Sequence, residues 1–331
     1  MSSVYFARLD KSCKREMCNV SEKLIKRLNK ETSFEKEIPL KVHFGEEGNE
    51  TFVRAENYEG LIRFFKKNKI NSKFIETNVL YKGRRTTVKE HKKLALEHGF
   101  VQLPIMISNK EDVVNINLNH FNKFKIAREF NRYKQIMVVS HFKGHFLAGF
   151  GGAVKQLGMG FATRSGKNEI HSSSKPFLNP LKCKKCGVCV SHCPKSAIEI
   201  DRIIPRINKG CIGCAACIAV CPNNAMTVNW IFGLGSSFNE RLVEYAYASQ
   251  KDKKHIYVNF LINITRGCDC VGGKMKIVAP NIGVLASLDP VAVDQASLDL
   301  LKKHKRFRGE YTLKYAESIG LGNRVYELIE I

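Results

Sequence analysis

Eight of the twelve cysteines fall into two runs of one spacing. The first is Cys183-x2-Cys186-x2-Cys189-x3-Cys193-Pro194 and the second is Cys211-x2-Cys214-x2-Cys217-x3-Cys221-Pro222. Three thiolates at i, i+3 and i+6 wrap a tight loop around one corner of a cuboidal iron–sulfur core, and a fourth sulfur from elsewhere must close the cage. Structural zinc more often pairs two Cys-x2-Cys units than three evenly spaced cysteines with a trailing Cys-Pro, so the spacing points to iron. Gly187 and Gly213 leave backbone room beside inorganic sulfide. Pro194 and Pro222 stop each run from continuing as one helix. The apolar segments Ala197–Ile200 and Ala225–Val228 that follow are expected to pair with each other as small strands.

The doubled run resembles the two-cluster bacterial ferredoxin domain over about 50 residues. That resemblance implies two [4Fe–4S] clusters, with the last cysteine of each run ligating the other run's cluster. Cys183, Cys186, Cys189 and Cys221 then hold the first cluster, and Cys211, Cys214, Cys217 and Cys193 the second. It also implies one-electron transfer at low potential.

A second group of chemistry-bearing residues precedes the cysteines, in His141-x3-His145-x3-Gly149-x-Gly151-Gly152-x2-Lys155. The apolar strand Ile136–Val139 comes just before it, so the histidines should sit at a strand's C-terminal end, where open α/β sheets gather their ligand sites. Gly149, Gly151 and Gly152 are candidates to offer backbone N–H groups to an anionic small molecule, with Lys143, Lys155 and Lys167 adding positive charge, or they simply permit a tight turn or close helix packing. His145, Lys155 and His141 are the candidate catalytic residues. The pair Cys268-Asp269-Cys270 is the other candidate. In an extended segment its two thiols share one face, placed to grip a third metal or to do thiol redox chemistry; two inert buried cysteines are the alternative. Cys13 and Cys18 read as structural or incidental. Asp289-Pro290 reads as a helix N-cap followed by proline at the first helical position, and Asp294 as either surface or site.

Nearly the whole chain resembles a family of iron–sulfur-centre proteins built on a domain of unknown function. The residues that carry this are Glu76-Thr77-Asn78, Tyr81-x-Gly83-x-Arg85, Glu97-His98-Gly99-Phe100, the Ser140–Gly160 segment, Cys268-Asp269-Cys270, and Ala286 to Gln295 with Asp289-Pro290 and Asp294. The family brings no settled reaction. Locally, His145 to Lys155 is similar to the H-x3-G-x2-GG-x-K stretch of the nickel-pincer lactate racemase family. That likeness implies a proton-transfer histidine and a cofactor-tethering lysine. Here the double glycine sits one place earlier, and Met159 precedes Gly160 where that family has proline.

The elements that must position these groups alternate. Val4–Leu9, Leu40–Phe44, Phe74–Leu80, Val113–Leu118 and Ile136–His141 read as strands, with helices expected at Ser21–Asn29, Tyr58–Lys67, Thr87–His98 and Asn122–Tyr133. Asn168–Pro180 reads as a polar linker. Beyond the cysteines come helix Asn239–Ser249, strands His255–Ile264 and Asn281–Ala286, and helices Pro290–Lys302 and Thr312–Ile319. The expectation is an α/β fold, a mostly parallel sheet covered by helices, formed by residues 1–180 and 231–331, with a small α+β two-cluster ferredoxin-like module inserted at 181–230.

Bulk properties bound the rest. Hydrophobic content of 44% with 26% charged residues is that of a folded globular chain. The formal net charge is +23, and two thiolate-ligated clusters leave about +19 to +17. Such a surface favours an acidic redox partner protein, an anionic substrate or nucleic acid, or is simply a lysine-rich solubilising coat. No arginine-rich tail, zinc finger or aromatic RNA-binding signature supports nucleic acid. No apolar run reaches the roughly 20 residues of a membrane span. The charged N-terminus around Arg8 to Glu16 has no signal-peptide core, and the cysteine pattern suits a reducing, cytoplasmic setting.

Overall fold

Apolar runs without polar alternation, such as Met137-Val-Val at the heart of the chain, make strands that are covered on both faces. The computed structural model describes residues 1–9, 14–81, 83–171, 176–200, 204–213, 216–228 and 234–331. In chain order the first part gives β1 (Ser2–Arg8), α1 (Lys14–Glu31), β2 (Leu40–Lys41), α2 (Glu59–Lys67), β3 (Phe74–Thr77), α3 (Val88–Glu97) and β4 (Ile105–Ser108). A hairpin of β5 (Glu111–Asn115) and β6 (Lys123–Ala127), then α4 (Arg128–Asn131) and β7 (Met137–His141), come next. After them lie the hairpin β8 (Lys143–His145) and β9 (Gly149–Gly151), α5 (Ala153–Phe161) and α6 (Arg164–His171). The cysteine-rich stretch forms β10 (Pro176–Leu178), α7 (Val188–Ser191), β11 (Ile198–Ile200), β12 (Pro205–Ile207), α8 (Ala216–Ala219) and β13 (Met226–Val228). The chain closes with α9 (Leu234–Gln250), β14 (Ile256–Leu261), β15 (Gly283–Ser287), α10 (Pro290–Lys302), α11 (Glu310–Ser318) and β16 (Tyr326–Glu330).

Eight strands form the central sheet in the order β16-β1-β15-β14-β7-β2-β3-β4. Neighbours are parallel everywhere except around β15, which runs against both β1 and β14. The mostly parallel α/β sheet read from the sequence is therefore what forms, and it draws strands from both sides of the cysteine-rich stretch. Alternate residues of each strand enter different cores. Met137, Val139, Val258 and Phe260 pack with Leu24, Ile25, Leu61 and Phe65 of α1 and α2. Val138, Tyr257 and Leu285 pack with Leu157, Leu242 and Val291 of α5, α9 and α10. No helix among the described residues is long and apolar enough to cross a membrane.

Three local expectations are corrected. Asn122–Tyr133 does not begin as a helix: Lys123–Ala127 buries Phe124 and Ile126 on a strand period and pairs antiparallel with β5, leaving only Arg128–Asn131 helical. Part of the expected linker at Asn168–Pro180 belongs to α6 and β10. The two apolar segments after the cysteine runs pair with other partners. Ile198–Ile200 folds back on Pro205–Ile207, and Met226–Val228 pairs with Pro176–Leu178. The second pairing ties the inbound chain of the cysteine-rich stretch to its outbound chain, so its two ends meet at one place.

Candidate functional site

The parallel strands β2, β3, β7 and β14 end at one edge of the sheet, the place where open α/β sheets form their ligand sites. Lys41, Thr77 and His141 are the last residues of β2, β3 and β7, and the loop beyond β14 carries Cys268-Asp269-Cys270. That loop is a turn, closed by the Val271 N–H on the Cys268 carbonyl at 3.0 Å, rather than the extended segment the Cys-x-Cys spacing suggested. Asp269 is fully buried and anchors it, accepting from His141 Nδ1 at 2.9 Å and Lys143 Nζ at 2.7 Å. His141 Nε2 in turn meets the Ile262 carbonyl at 2.7 Å. Both ring nitrogens thus face oxygen acceptors, so His141 positions Asp269 and is not a base aimed at a ligand. Burial pushes the Asp269 carboxyl up, but His141 and Lys143 outweigh it and hold it below the usual carboxylate range.

With Asp269 clamped, the flanking thiols come together. One ligand atom each of His145, Cys268 and Cys270 lies within 4.8 Å of the others. Lys155 Nζ stands 3.7 Å from Cys268 Sγ. Cys268 is buried and Cys270 partly exposed. His145 Nδ1 accepts from the backbone N–H groups of Leu147 (3.2 Å) and Ala148 (3.0 Å), which leaves the ring proton on Nε2. With Nδ1 so occupied, Nε2–H is the group left to face the neighbouring Cys268 sulfur. The Cys270 thiol, then Lys155 and His145, hold Cys268 well below the usual thiol range against burial, while the same shared hydrogen bond and burial push Cys270 up. Burial and the Lys155 charge lower His145. Burial pulls Lys155 down, but the facing Cys268 sulfur outweighs it and raises the amine.

These groups border a cavity of about 640 Å³. On the α/β side its wall includes Glu76, Arg85, His145, Lys155, Lys167 and Cys270; on the other side stand Val188, His192, Ala216, Val220, Cys221 and Pro222 of the cysteine-rich stretch. Neither His141 nor Cys268 reaches it. Lys167 was expected from sequence to add positive charge here, and Glu76 and Arg85 were named only as carriers of the family resemblance; Glu76-Thr77 stands where strand β3 ends and Arg85 shortly after, a position that marks ligand sites in this architecture. Glu76 bridges Lys41 (2.8 Å) and Arg85 (3.3 Å), all three nearly inaccessible. Lys167 donates to Thr77 Oγ1 at 2.5 Å and to the Ala162 carbonyl at 2.7 Å, and burial drops its pKa to about 7. The unfolded chain, at about 10.4 for a free lysine, then binds the extra proton between pH 7 and 10, so folding stability gains from rising pH in that window. Relative to Lys167→Met, wild type should become more stable by about 2 kcal/mol between pH 7 and pH 9 in urea denaturation; a flat difference would contradict the assignment.

Packing accounts for Gly149 and Gly152. Gly149 takes φ +83° and lies against the Arg308 carbonyl. A Cβ on Gly152 would stand 2.3 Å from Asp294 Oδ1. Asp294 is fully buried and accepts from the Ala153 (2.7 Å) and Val154 (2.9 Å) N–H groups at the start of α5, with Asn259 Nδ2 at 2.7 Å. The first two N–H groups of that helix, next to the glycines expected to cradle an anion, are thus taken by a carboxylate of the chain itself. Gly152→Ala should cost about 1–3 kcal/mol in denaturant unfolding. Gly151→Ala, which meets only the Lys143 and Lys155 stems at 3.6 Å, should cost far less. Asp289 caps α10 through Val291 and Ala292, as the Asp-Pro pair suggested.

The eight-cysteine stretch shows two small hollows. One is lined by Cys183, Cys186, Cys189 and Cys221, the other by Cys193, Cys211 and Cys217; Cys214, like Cys13, lies outside the described residues. Each last cysteine thus sits with the other run. Ala197 N–H donates to Cys193 Sγ at 3.2 Å and Ala225 N–H to Cys221 Sγ at 3.1 Å. Gly187 and Gly213 adopt φ of +75° and +66°, turns that favour glycine. Cys18 is buried in α1, away from both groups.

Among solved structures, the fold is similar to a Thermotoga maritima protein from a structural genomics consortium, at 11% identity and a TM-score of 0.43, covering 94% of this chain and 60% of that one. It is also similar to the lactate racemase apoprotein of Thermoanaerobacterium thermosaccharolyticum, at 10% identity and a TM-score of 0.46, covering 93% of this chain and 58% of that one. The chain therefore spans less than two thirds of the length of either. No curated protein matches it. The sequence model of the domain of unknown function DUF362 matches residues 38–299, most of the chain, and the protein belongs to that family.

Proposed function

We propose that the chain is an iron–sulfur redox protein whose eight cysteines hold two [4Fe–4S] clusters and pass low-potential electrons to the cavity beside His145, Lys155 and Cys270. The observation that carries the reading is the cavity itself, bounded on one side by Cys221 and its neighbours and on the other by Lys155, His145 and Cys270. The donor set suits the group: Cys221 with the first run, Cys193 with the second, N–H donors on two of the sulfurs, and left-handed glycines where backbone must stand clear. When bound, such clusters supply one electron each at low potential, tuned by hydrogen bonds to sulfur. The chain's own residues would do the rest. Lys155 holds negative charge in the cavity, His145 presents an N–H, and Arg85 with Glu76 keeps the wall polar.

The test is anaerobic. The protein is reduced and the decay of its EPR signal followed on adding small disulfides, 2-oxo acids or quinones. His145→Ala and Lys155→Ala should slow at least one of these decays tenfold or more while the initial signal stays intact. Unchanged decay with every acceptor would place the reaction elsewhere.

A second reading is an electron carrier that docks an acidic redox partner. It draws on the exposed Lys182, Lys184, Lys195 and Lys209 around the cysteine runs and on the net charge of +23. Association that weakens steeply with salt supports it, and salt-independent binding would remove it.

A further inference from the structure

We infer that Cys270 and Cys268 form a dithiol–disulfide couple that reduces a low-molecular-weight disulfide bound in the cavity, with Cys270 as the attacking sulfur and Cys268 as base and resolving sulfur. The regeneration of this couple rests on the proposed function; the exchange itself does not. Three observations place the roles. Cys270 lines the cavity and is partly exposed, whereas Cys268 lies behind it, buried. Cys268 sits beside Lys155 Nζ at 3.7 Å, with ligand atoms of His145 and Cys270 within 4.8 Å. The turn closed by Val271 N–H brings the two residues closer than an extended Cys-x-Cys would, toward the roughly 4.4–6.8 Å between Cα atoms that a disulfide needs.

The same geometry argues against metal ligation by all three residues. A metal on His145 Nε2 needs that nitrogen's lone pair, with the ring proton on Nδ1, yet two backbone N–H groups point at Nδ1. An N–H on Nε2 instead suits a sulfur that carries charge. Asp269, held by His141 and Lys143, fixes the turn that aims both thiols.

The steps balance. Cys270 passes its proton to the Cys268 thiolate as its sulfur attacks the substrate disulfide, forming a mixed disulfide and releasing one thiolate. That thiolate takes the proton from Cys268 and departs as a thiol. Cys268, its charge stabilised by Lys155, attacks the Cys270 sulfur and expels the second thiolate, which takes a proton from solvent. The protein is left with a Cys268–Cys270 disulfide. Returning it to two thiols takes two electrons and two protons. Two one-electron donors match that demand, which is the number proposed for the eight-cysteine stretch. A cavity of about 640 Å³ is of the size that encloses a small molecule.

Trypsin should release Gly267–Lys274, a peptide whose only cysteines are these two, so the pair can be read apart from the other cysteines. The full-length protein, prepared anaerobically, is treated with 2-hydroxyethyl disulfide, alkylated, digested and weighed. The expected result is a peptide two hydrogens lighter that takes no alkyl group. Cys268→Ser should accumulate the mercaptoethanol adduct on Cys270. Cys270→Ser should react at least tenfold more slowly, and Lys155→Met should slow formation of the internal disulfide about tenfold. A peptide that stays fully alkylated, an adduct that forms first on Cys268, or one tightly held zinc per chain shielding both thiols would each overturn the inference. Iron in the same sample separates the two readings. Full iron with an inert pair overturns only the exchange, and an exchanging pair without iron overturns only the clusters.

Discussion

Combining Cys221→Ser with Cys183→Ser should leave about four irons per chain, whereas combining Cys221→Ser with Cys211→Ser should leave almost none. The contrast follows from the way the hollows are lined. Cys221 faces Cys183, Cys186 and Cys189, although it closes the second run in sequence, and Cys193 faces Cys211 and Cys217. Two substitutions in one cage cost one cluster, and one substitution in each cage costs both. Without the exchange of last cysteines the outcomes would trade places. Iron and acid-labile sulfide on protein purified without oxygen read the result. The comparison between two double variants removes any common loss from a less stable fold.

Asp269→Ala should cost about 3–5 kcal/mol of folding stability, read as a lower denaturant midpoint. Its carboxylate is the shared acceptor of His141 and Lys143, in a place where neither donor can turn to water. Removing it leaves a buried ammonium without its counter-charge, the case in which breaking one side of a buried pair is most costly. The turn that brings Cys268 to Cys270 should loosen with it, so the buried Cys268 thiol becomes accessible and is alkylated faster. A loss below about 1 kcal/mol would show that the clamp adds little to the turn.

The sheet was readable because its strands are nearly uninterrupted apolar runs and its helices carry plain start signals, Asp289-Pro290 being the clearest. Short elements were not. Lys123–Ala127 was absorbed into a helix, since five residues with three buried positions fit either period. The Met226 segment was given the wrong partner, because pairing with Pro176–Leu178 depends on where the chain enters and leaves, which local pattern does not carry. His145, Lys155 and Cys270 were named from sequence and stand together at the cavity. His141 was named for the same histidine pattern but faces Asp269, because it ends β7 in the central sheet whereas His145 belongs to the separate hairpin strand β8, so their spacing of four does not put them on one face. The glycine-rich segment looked like an anion cradle. What fills its helix start is Asp294, remote in sequence, and only the fold brings it there. Arg85 and Lys167 were named from sequence, but only their burial shows how far each is removed from water at the cavity wall.

The central claim is that thiolates of the two cysteine runs hold iron and sulfide at this cavity's edge. Iron, sulfide and zinc per chain, measured together with EPR of the dithionite-reduced protein kept free of oxygen, test it most directly. About eight irons and eight sulfides per chain are expected, with a signal from two coupled reduced clusters. Two zincs without sulfide, or iron at a small fraction of that amount, would contradict it.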